Sequence, residues 1–280
     1  MLSIKRKIFY AAYVVAVATV RVAVCLTLFV LPACSEAKEH SPFPLPQLLP
    51  LTNEMFDLPE FEKGDSVVRN FLKKWKINGA SLAIAKDGKL LYAKGFGYAD
   101  VEQMTEVTPG HVFRIASVSK LITAVAIMKL VEEGKLSLSD KVFGSGGILS
   151  DSVFGRIYDA RVLQITVKNL LEHSGGWDTP NGDDPMFMGH AIASQLHIPV
   201  PVGVNDIIRF ALSAPLSFDV GDHSSYSNLG YAILGRVIEK AAGVAYEDYV
   251  QQALLLPMGI VNMCLGNSYP QRLYTDEVSY

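Results

Sequence analysis

Ser117 and Lys120 have the clearest chemical potential in the sequence, because they lie three positions apart at the start of an apolar segment. Apolar residues recur at helical spacing from Ile122 to Val131, and Gly134 supplies a stop signal. Residues three apart share one face of a helix. The spacing therefore predicts that the hydroxyl and the amine meet.

A serine hydroxyl becomes a good nucleophile only when a neighbouring base takes its proton. A lysine amine is such a base only when neutral, which requires its pKa to fall from about 10.4 by about three units. Burial drives a lysine pKa in that direction, and the apolar neighbours of Lys120 predict burial. Taken alone, the pair has another interpretation, in which Ser117 caps the helix and Lys120 is a surface residue.

Two later segments carry further polar groups. His173-Ser174-Gly175-Gly176 follows a short helix that Thr166 can cap. Tyr226 and Asn228 precede an apolar-striped helix predicted from Leu229 to Ala242. From these residues alone, Tyr226 can also be an ordinary turn aromatic and Asn228 a helix cap. We interpret His173 as a residue that stabilises its loop rather than as a base.

A β-hairpin is predicted ahead of the Ser117 helix. Two strand-like runs, Ala80 to Lys86 and Lys89 to Phe96, are joined by Asp87-Gly88, which is a strong hairpin signal. A helix is predicted before it, from Glu60 to Trp75, and Gly95 and Gly97 predict a turn at the end of the hairpin. After Gly134 the pattern indicates helices and loops, including a long polar loop up to about Val202 and helices from Asn205 to Ser213 and from Tyr246 to Leu255.

These motifs and their order resemble the serine β-lactamase/penicillin-binding-protein superfamily, and its class C β-lactamase-like and D-alanyl-D-alanine carboxypeptidase-like branch in particular. The resemblance is carried by the segments 113–120, 170–176 and 226–231. It implies an α+β fold, with an antiparallel sheet flanked by helices and an all-helical lobe. It also implies Ser117 as the acylated nucleophile, Lys120 as its partner base, Tyr226 as a proton shuttle and Asn228 as a ligand of the substrate amide.

The resemblance also implies a third motif, a triplet with Lys or His that ends in Gly, on a strand beside the serine. Nothing after Tyr226 resembles it. We therefore expect an incomplete sheet, as in a truncated family member or a piece of a longer gene product. Two functions stay open: a cell-envelope acyl-serine hydrolase acting on an amide, β-lactam or ester, and a catalytically inactive fragment or envelope binding module. An α/β-hydrolase is disfavoured, because no Gly-x-Ser-x-Gly elbow is present.

The N-terminus predicts export. Three basic residues within the first seven precede a mostly apolar run from Ile8 to Ala33, which we interpret as a lipoprotein signal peptide over residues 1–33. Leu31-Pro32-Ala33-Cys34-Ser35 resembles a bacterial lipoprotein box, so Cys34 is the expected lipidation site. An uncleaved membrane anchor is the alternative. Residues 34–56 form a Pro-rich tether and residues 57–280 the hydrolase domain, facing the periplasm.

Composition excludes several other classes. The net charge is −3, and the only basic cluster after residue 40 is Lys73-Lys74-Trp75-Lys76, which argues against nucleic-acid binding. Of three cysteines only Cys264 lies beyond the signal and its end, so no disulfide framework is expected, and we assign it no role. No spacing of His, Asp or Glu indicates a metal, and no cofactor is predicted. The expected partners are the membrane, through the N-terminus, and a small-molecule or peptidoglycan-like peptide substrate.

Overall fold

The structure is a computed structural model that describes residues 51–150, 152–179, 184–266 and 276–278. The predicted signal peptide, Cys34 and most of the Pro-rich tether lie outside the described residues. Within the described ranges, no helix is both long enough and apolar enough to cross a bilayer.

The predicted hairpin is present as the first two strands of an antiparallel sheet. Strand β1 (Gly79–Lys86) pairs with β2 (Lys89–Asp100), and β2 pairs with the two-residue β3 (Thr105–Glu106). The connecting residues Asp87 and Gly88 have φ values of 52° and 72°. Positive φ at both central residues characterises the tight turns that suit the twist of a hairpin.

Strand β2 continues four residues beyond the predicted end at Phe96. Gly95 and Gly97 indicated a turn in the sequence, but both lie within the strand. A Cβ on Gly95 would lie 2.1 Å from the Val107 carbonyl oxygen, so glycine is required there by the close approach of another segment. The prediction of a turn was wrong, because a tertiary contact explains the glycine.

Helix α1 (Glu62–Trp75) packs on the hairpin through a small aromatic cluster. Leu72 of the helix contacts the buried side chains of Tyr92 and Phe96. Asp65 is also buried, and its two carboxylate oxygens accept hydrogen bonds from Tyr92 Oη at 2.5 Å and Lys94 Nζ at 2.6 Å. A buried carboxylate is tolerated because both oxygens are paired.

Most of the remaining described elements form a helical lobe around the main hydrophobic core. Its helices are α2 (Ser119–Glu132), α3 (Val167–Leu171), α4 (Gly189–Leu196), α5 (Val204–Leu212), α6 (Asn228–Ala242) and α7 (Tyr246–Val250), and α7 continues into a π-helical segment, Gln251–Leu255. Helix α6 lies at the centre of this core, because five of its side chains have no exposed surface: Leu229, Ile233, Leu234, Val237 and Ile238.

Local capping signals explain several helix ends. Thr166 Oγ1 accepts a hydrogen bond from Asn169 N at 3.2 Å and begins α3 as predicted, and Gly243, with φ of 75°, ends α6. Helix α4, in contrast, was missed within the predicted polar loop. Its N-terminal residue has no side-chain cap, and burial of Ile192 in the core stabilises it instead. The predicted α+β class is confirmed, with three strands in the described part of the sheet.

Candidate active site

Ser117 lies in a 3-10 turn, Ala116–Val118, that leads directly into α2. Ala116 has φ of 43°, a conformation that residues with a Cβ rarely adopt. Such strain costs about 1–3 kcal/mol and concentrates at functional sites. The Ser117 side chain is thereby presented at the protein surface, at the N-terminal end of a 14-residue helix.

The structure brings Ser117, Lys120 and Tyr226 into direct contact. Ser117 Oγ lies 2.7 Å from Tyr226 Oη and 3.3 Å from Lys120 Nζ. Lys120 Nζ lies 2.5 Å from Tyr226 Oη. The path of short hydrogen bonds from the serine to the lysine therefore passes through the phenol, while the direct contact is the longest of the three.

The environment of Lys120 differs from the prediction. The side chain is half-buried rather than buried. The apolar neighbours on which that prediction was based are themselves exposed, Val118 by 59 % and Leu121 by 64 %. The amine is nevertheless not a free surface group, since it donates to Tyr226 Oη and, at 2.6 Å, to Asn228 Oδ1.

Tyr226 is the site residue with a perturbed acidity. Hydrogen bonds from Lys120, and then from Ser117, lower the pKa of its phenol below the ordinary value of 10.0. Its side chain is 42 % exposed, so an incoming substrate can reach the oxygen. These contacts distinguish it from an ordinary turn aromatic.

Asn228 is the first residue of α6 but not its cap. Ser227 caps the helix, because its hydroxyl accepts a hydrogen bond from Gly230 N at 3.0 Å. The interpretation of Asn228 as a helix cap is therefore wrong. Its amide bridges Lys120 and Asp184, with Nδ2 donating to Asp184 Oδ2 at 2.6 Å.

His173 supports the segment that carries Tyr226. Its Nδ1 accepts a hydrogen bond from Ser227 N at 3.1 Å, and its ring lies 4.9 Å from that of Tyr226 and 5.1 Å from that of Tyr231. Burial, and then the charge of Lys120, lower the pKa of His173. A neutral ring whose Nδ1 accepts a backbone proton suits the interpretation of His173 as a stabilising residue.

Asp184 is the contact residue that the sequence did not indicate. It belongs to the Gly/Asp-rich loop before α4, where several acidic residues occur without helical or strand spacing. No local signal distinguishes it, since its contact with Asn228 spans 44 positions.

A cavity near this cluster is separate from it. It has a volume of about 480 Å³ and is lined by Phe113, Ile115, Ile122 and Val250 among others, but by none of the four predicted site residues Ser117, Lys120, Tyr226 and Asn228. Among the described residues, no group of three His, Cys, Asp or Glu side chains is arranged to hold a metal.

A family model described as Beta-lactamase matches residues 65–279, well over half of the sequence. The chain belongs to the Beta-lactamase family. This confirms the resemblance drawn from the motifs, including the β-lactamase-like fold.

Two bacterial proteins are similar to this chain over about two thirds of its length. Protein flp of Staphylococcus aureus (strain COL) is 31% identical over 198 residues, which are 69% of this chain and 36% of that protein. Penicillin-binding protein 4* of Bacillus subtilis (strain 168) is 32% identical over 190 residues, 67% of this chain and 38% of that protein. The chain thus spans under two fifths of the length of these relatives.

Among solved structures, the octameric penicillin-binding protein homologue from Pyrococcus abyssi has 33% sequence identity and a TM-score of 0.60. The similarity covers 77% of this chain and 46% of that one.

Proposed function

We propose that the protein is an acyl-serine hydrolase of the cell envelope, acting on an amide, β-lactam or ester. The observation that carries this proposal is the contact of Ser117 Oγ with Tyr226 Oη at 2.7 Å and of Tyr226 Oη with Lys120 Nζ at 2.5 Å. Membership of the Beta-lactamase family and similarity to two proteins named as penicillin-binding support the same chemistry.

In the first step, Ser117 Oγ attacks the substrate carbonyl carbon and a C–O bond forms. The serine proton passes to Tyr226 Oη while the phenol's own proton passes across the short hydrogen bond to the amine of Lys120, which acts as the base in its unprotonated form. The tetrahedral intermediate then collapses, and the bond from carbon to the leaving nitrogen or oxygen breaks. Tyr226 protonates that leaving group as Lys120 returns a proton to the phenol, so the acyl-enzyme forms without net gain or loss of protons.

In the second step, water replaces the leaving group. The water oxygen attacks the acyl carbon while Tyr226 Oη accepts a proton from the water and passes its own proton to Lys120. As the ester bond breaks, Tyr226 protonates Ser117 Oγ and Lys120 returns a proton to the phenol. The N-terminal end of α2 favours negative charge, so it favours the oxyanion that develops beside Ser117 in both steps. Asn228, half-buried beside Lys120, is the residue that we assign to the substrate amide.

The proposal includes the place where the protein acts, which is the bacterial cell envelope. The charged and apolar N-terminal segment and the box that ends at Cys34 support export and lipid attachment to the bacterial envelope, with the hydrolase domain facing the periplasm. A peptidoglycan-like peptide is the natural substrate class at that place.

The test is covalent labelling of the 280-residue chain with a fluorescent penicillin, combined with hydrolysis assays on a chromogenic β-lactam and a p-nitrophenyl ester. We expect labelling that is lost in Ser117→Ala and kept in Ser119→Ala, a matched serine two positions away. Labelling without hydrolysis would favour the alternative of an envelope binding module. A wild-type protein that folds cooperatively but acquires no label would refute the proposal.

A further inference from the structure

The Asp184 carboxylate accepts two hydrogen bonds, one from the Asn228 amide and one from the backbone of its own loop. Its Oδ2 accepts from Asn228 Nδ2 at 2.6 Å, and its Oδ1 accepts from Met186 N at 3.0 Å. The second contact caps the 3-10 turn Pro185–Phe187, so the carboxylate is fixed by the local backbone. Both carboxylate oxygens are occupied, one by the loop itself and one by the active site.

The chemistry of the three groups fixes the orientation of the Asn228 amide. A carboxylate only accepts hydrogen bonds, so the NH₂ group of Asn228 must face Asp184, and Lys120 Nζ donates to the amide oxygen on the other side. Asn228 lies between the two, 2.6 Å from Lys120 Nζ and 2.6 Å from Asp184 Oδ2. Only one orientation satisfies both neighbours, with the NH₂ group toward Asp184 and the oxygen toward Lys120.

A second contact ties the same loop to the same turn. Ser225 Oγ donates to Asp178 Oδ1 at 2.9 Å, and Ser225 is buried. Asp178 therefore attaches the loop to the residue before Tyr226. The two aspartates offer a natural comparison, because Asp178 binds Ser225 beside the turn and Asp184 binds Asn228 of the reactive cluster itself.

We propose that Asp184 is a positioning residue that acts through Asn228, keeping the amide oxygen on Lys120 and the amine aligned with Tyr226. The inference rests on the proposed function, since it assigns Asp184 to the acylation step at Ser117. Without the carboxylate, the amide is free to turn its NH₂ group toward the lysine, where two donors face each other and the hydrogen bond is lost.

The charge of Asp184 also acts on Tyr226. Besides the Ser117 hydroxyl, the titratable groups that face the Tyr226 phenol are Lys120, His173, Tyr231 and, at longer range, Asp184. Lys120 lowers the pKa of Tyr226, and Asp184 opposes that effect. Removing the negative charge therefore moves the phenol pKa further down, an effect that a purely structural role in the loop does not produce.

The experiment compares the wild-type chain with Asp184→Asn and with Asp178→Asn as the matched control. The acylation rate with a fluorescent penicillin is measured from about pH 6 to 11, which brackets the ordinary phenol pKa. In parallel, ultraviolet difference spectra follow phenolate formation, and subtraction of the Tyr226→Phe spectrum isolates Tyr226.

We expect Asp184→Asn to lower the acylation rate about ten- to a hundredfold, by analogy with the loss of groups that orient metal-ligating side chains. The Tyr226 titration midpoint should move to lower pH in the same variant. Asp178→Asn should leave both quantities at their wild-type values. An unchanged rate and midpoint in Asp184→Asn, or the same changes in Asp178→Asn, would overturn the inference.

Failure of the proposed function has a different signature. If the wild type acquires no label, the acylation proposal is refuted, while the titration shift still decides whether Asp184 acts on the cluster.

A measurement on the wild type alone covers the case in which Asp184→Asn does not fold. The Asn228 side-chain amide protons should give NMR signals that are shifted downfield and protected from exchange, and freely exchanging signals would contradict the assigned contact.

Discussion

Replacing Tyr226 with Phe removes one oxygen and leaves the aromatic ring in place. That oxygen lies 2.7 Å from Ser117 Oγ and 2.5 Å from Lys120 Nζ. Without it, only the 3.3 Å contact between the serine and the lysine remains. This distance exceeds the reach of about 2.6–3.2 Å over which a general base takes a proton directly.

The expected loss follows from that geometry. General acid–base catalysis contributes about 10²–10⁴-fold to a rate, which corresponds to about 3–5 kcal/mol in activation free energy at 1.36 kcal/mol per factor of ten. We expect the acylation rate of Tyr226→Phe to fall by this factor. The free energy of unfolding should change by about 0.5 kcal/mol or less, because the side chain is 42 % exposed.

The assay is stopped-flow acylation by a fluorescent penicillin, with a thermal melt of each variant. Tyr231→Phe is the matched control, since its hydroxyl donates to the Leu171 carbonyl at 3.2 Å and its ring also lies beside His173. That variant should lose about 1 kcal/mol of stability and keep its acylation rate. A Tyr226→Phe rate within tenfold of the wild type would refute the relay and place the proton transfer directly between Ser117 and Lys120.

Three further predictions concern other parts of the chain. Lys120→Arg should lower the acylation rate at least about a hundredfold, because an arginine stays protonated and cannot act as a base. Lys129→Arg, on the same helix, should leave the acylation rate unchanged. Equal rates in the two variants would show that Lys120 has no role in the mechanism. The pKa of His173 in the folded protein is lowered from 6.5. As the pH falls below that value, His173 is therefore protonated in the unfolded chain before it is protonated in the folded protein. The free energy of unfolding should then decrease by up to about 1.4 kcal/mol per pH unit until the folded-state pKa is reached. Urea titrations at several pH values should show that His173→Asn lacks this decrease in the free energy of unfolding. If the decrease persists in that variant, it belongs to another group. Cys34→Ala should move the protein from the membrane fraction to the soluble fraction, and retention at the membrane would favour an uncleaved anchor.

Local signals explain what could be predicted of the fold. The Asp87-Gly88 turn, the Thr166 cap and the apolar stripe of α6 each specify their structure within a few residues. Helix α4 and the end of β2 depend instead on packing against distant segments. Ile192 and Gly95 show this dependence, because the burial of one and the close approach of Val107 to the other have no local counterpart in the sequence.

The contacts within the candidate site also differ in whether local sequence signals predict them. The spacing of Ser117 and Lys120 on one helix predicts their contact from local geometry alone. The contact of Tyr226 with both residues spans more than 100 positions and was expected only through the family resemblance. Asp184 had neither kind of signal, since its loop has no periodicity and its partner is fixed by the tertiary fold.

The most direct test of the proposed acyl-enzyme is the location of the covalent adduct. The chain is incubated with a penicillin, quenched in acid, digested with trypsin and mapped by mass spectrometry. Because ring opening keeps the β-lactam nitrogen attached to the acyl group, the added mass should equal that of the intact penicillin. We predict this mass on the peptide Ile115–Lys120, with fragment ions that place it on Ser117. An adduct on Ser119 or elsewhere, or none on a cooperatively folded protein, would contradict the account.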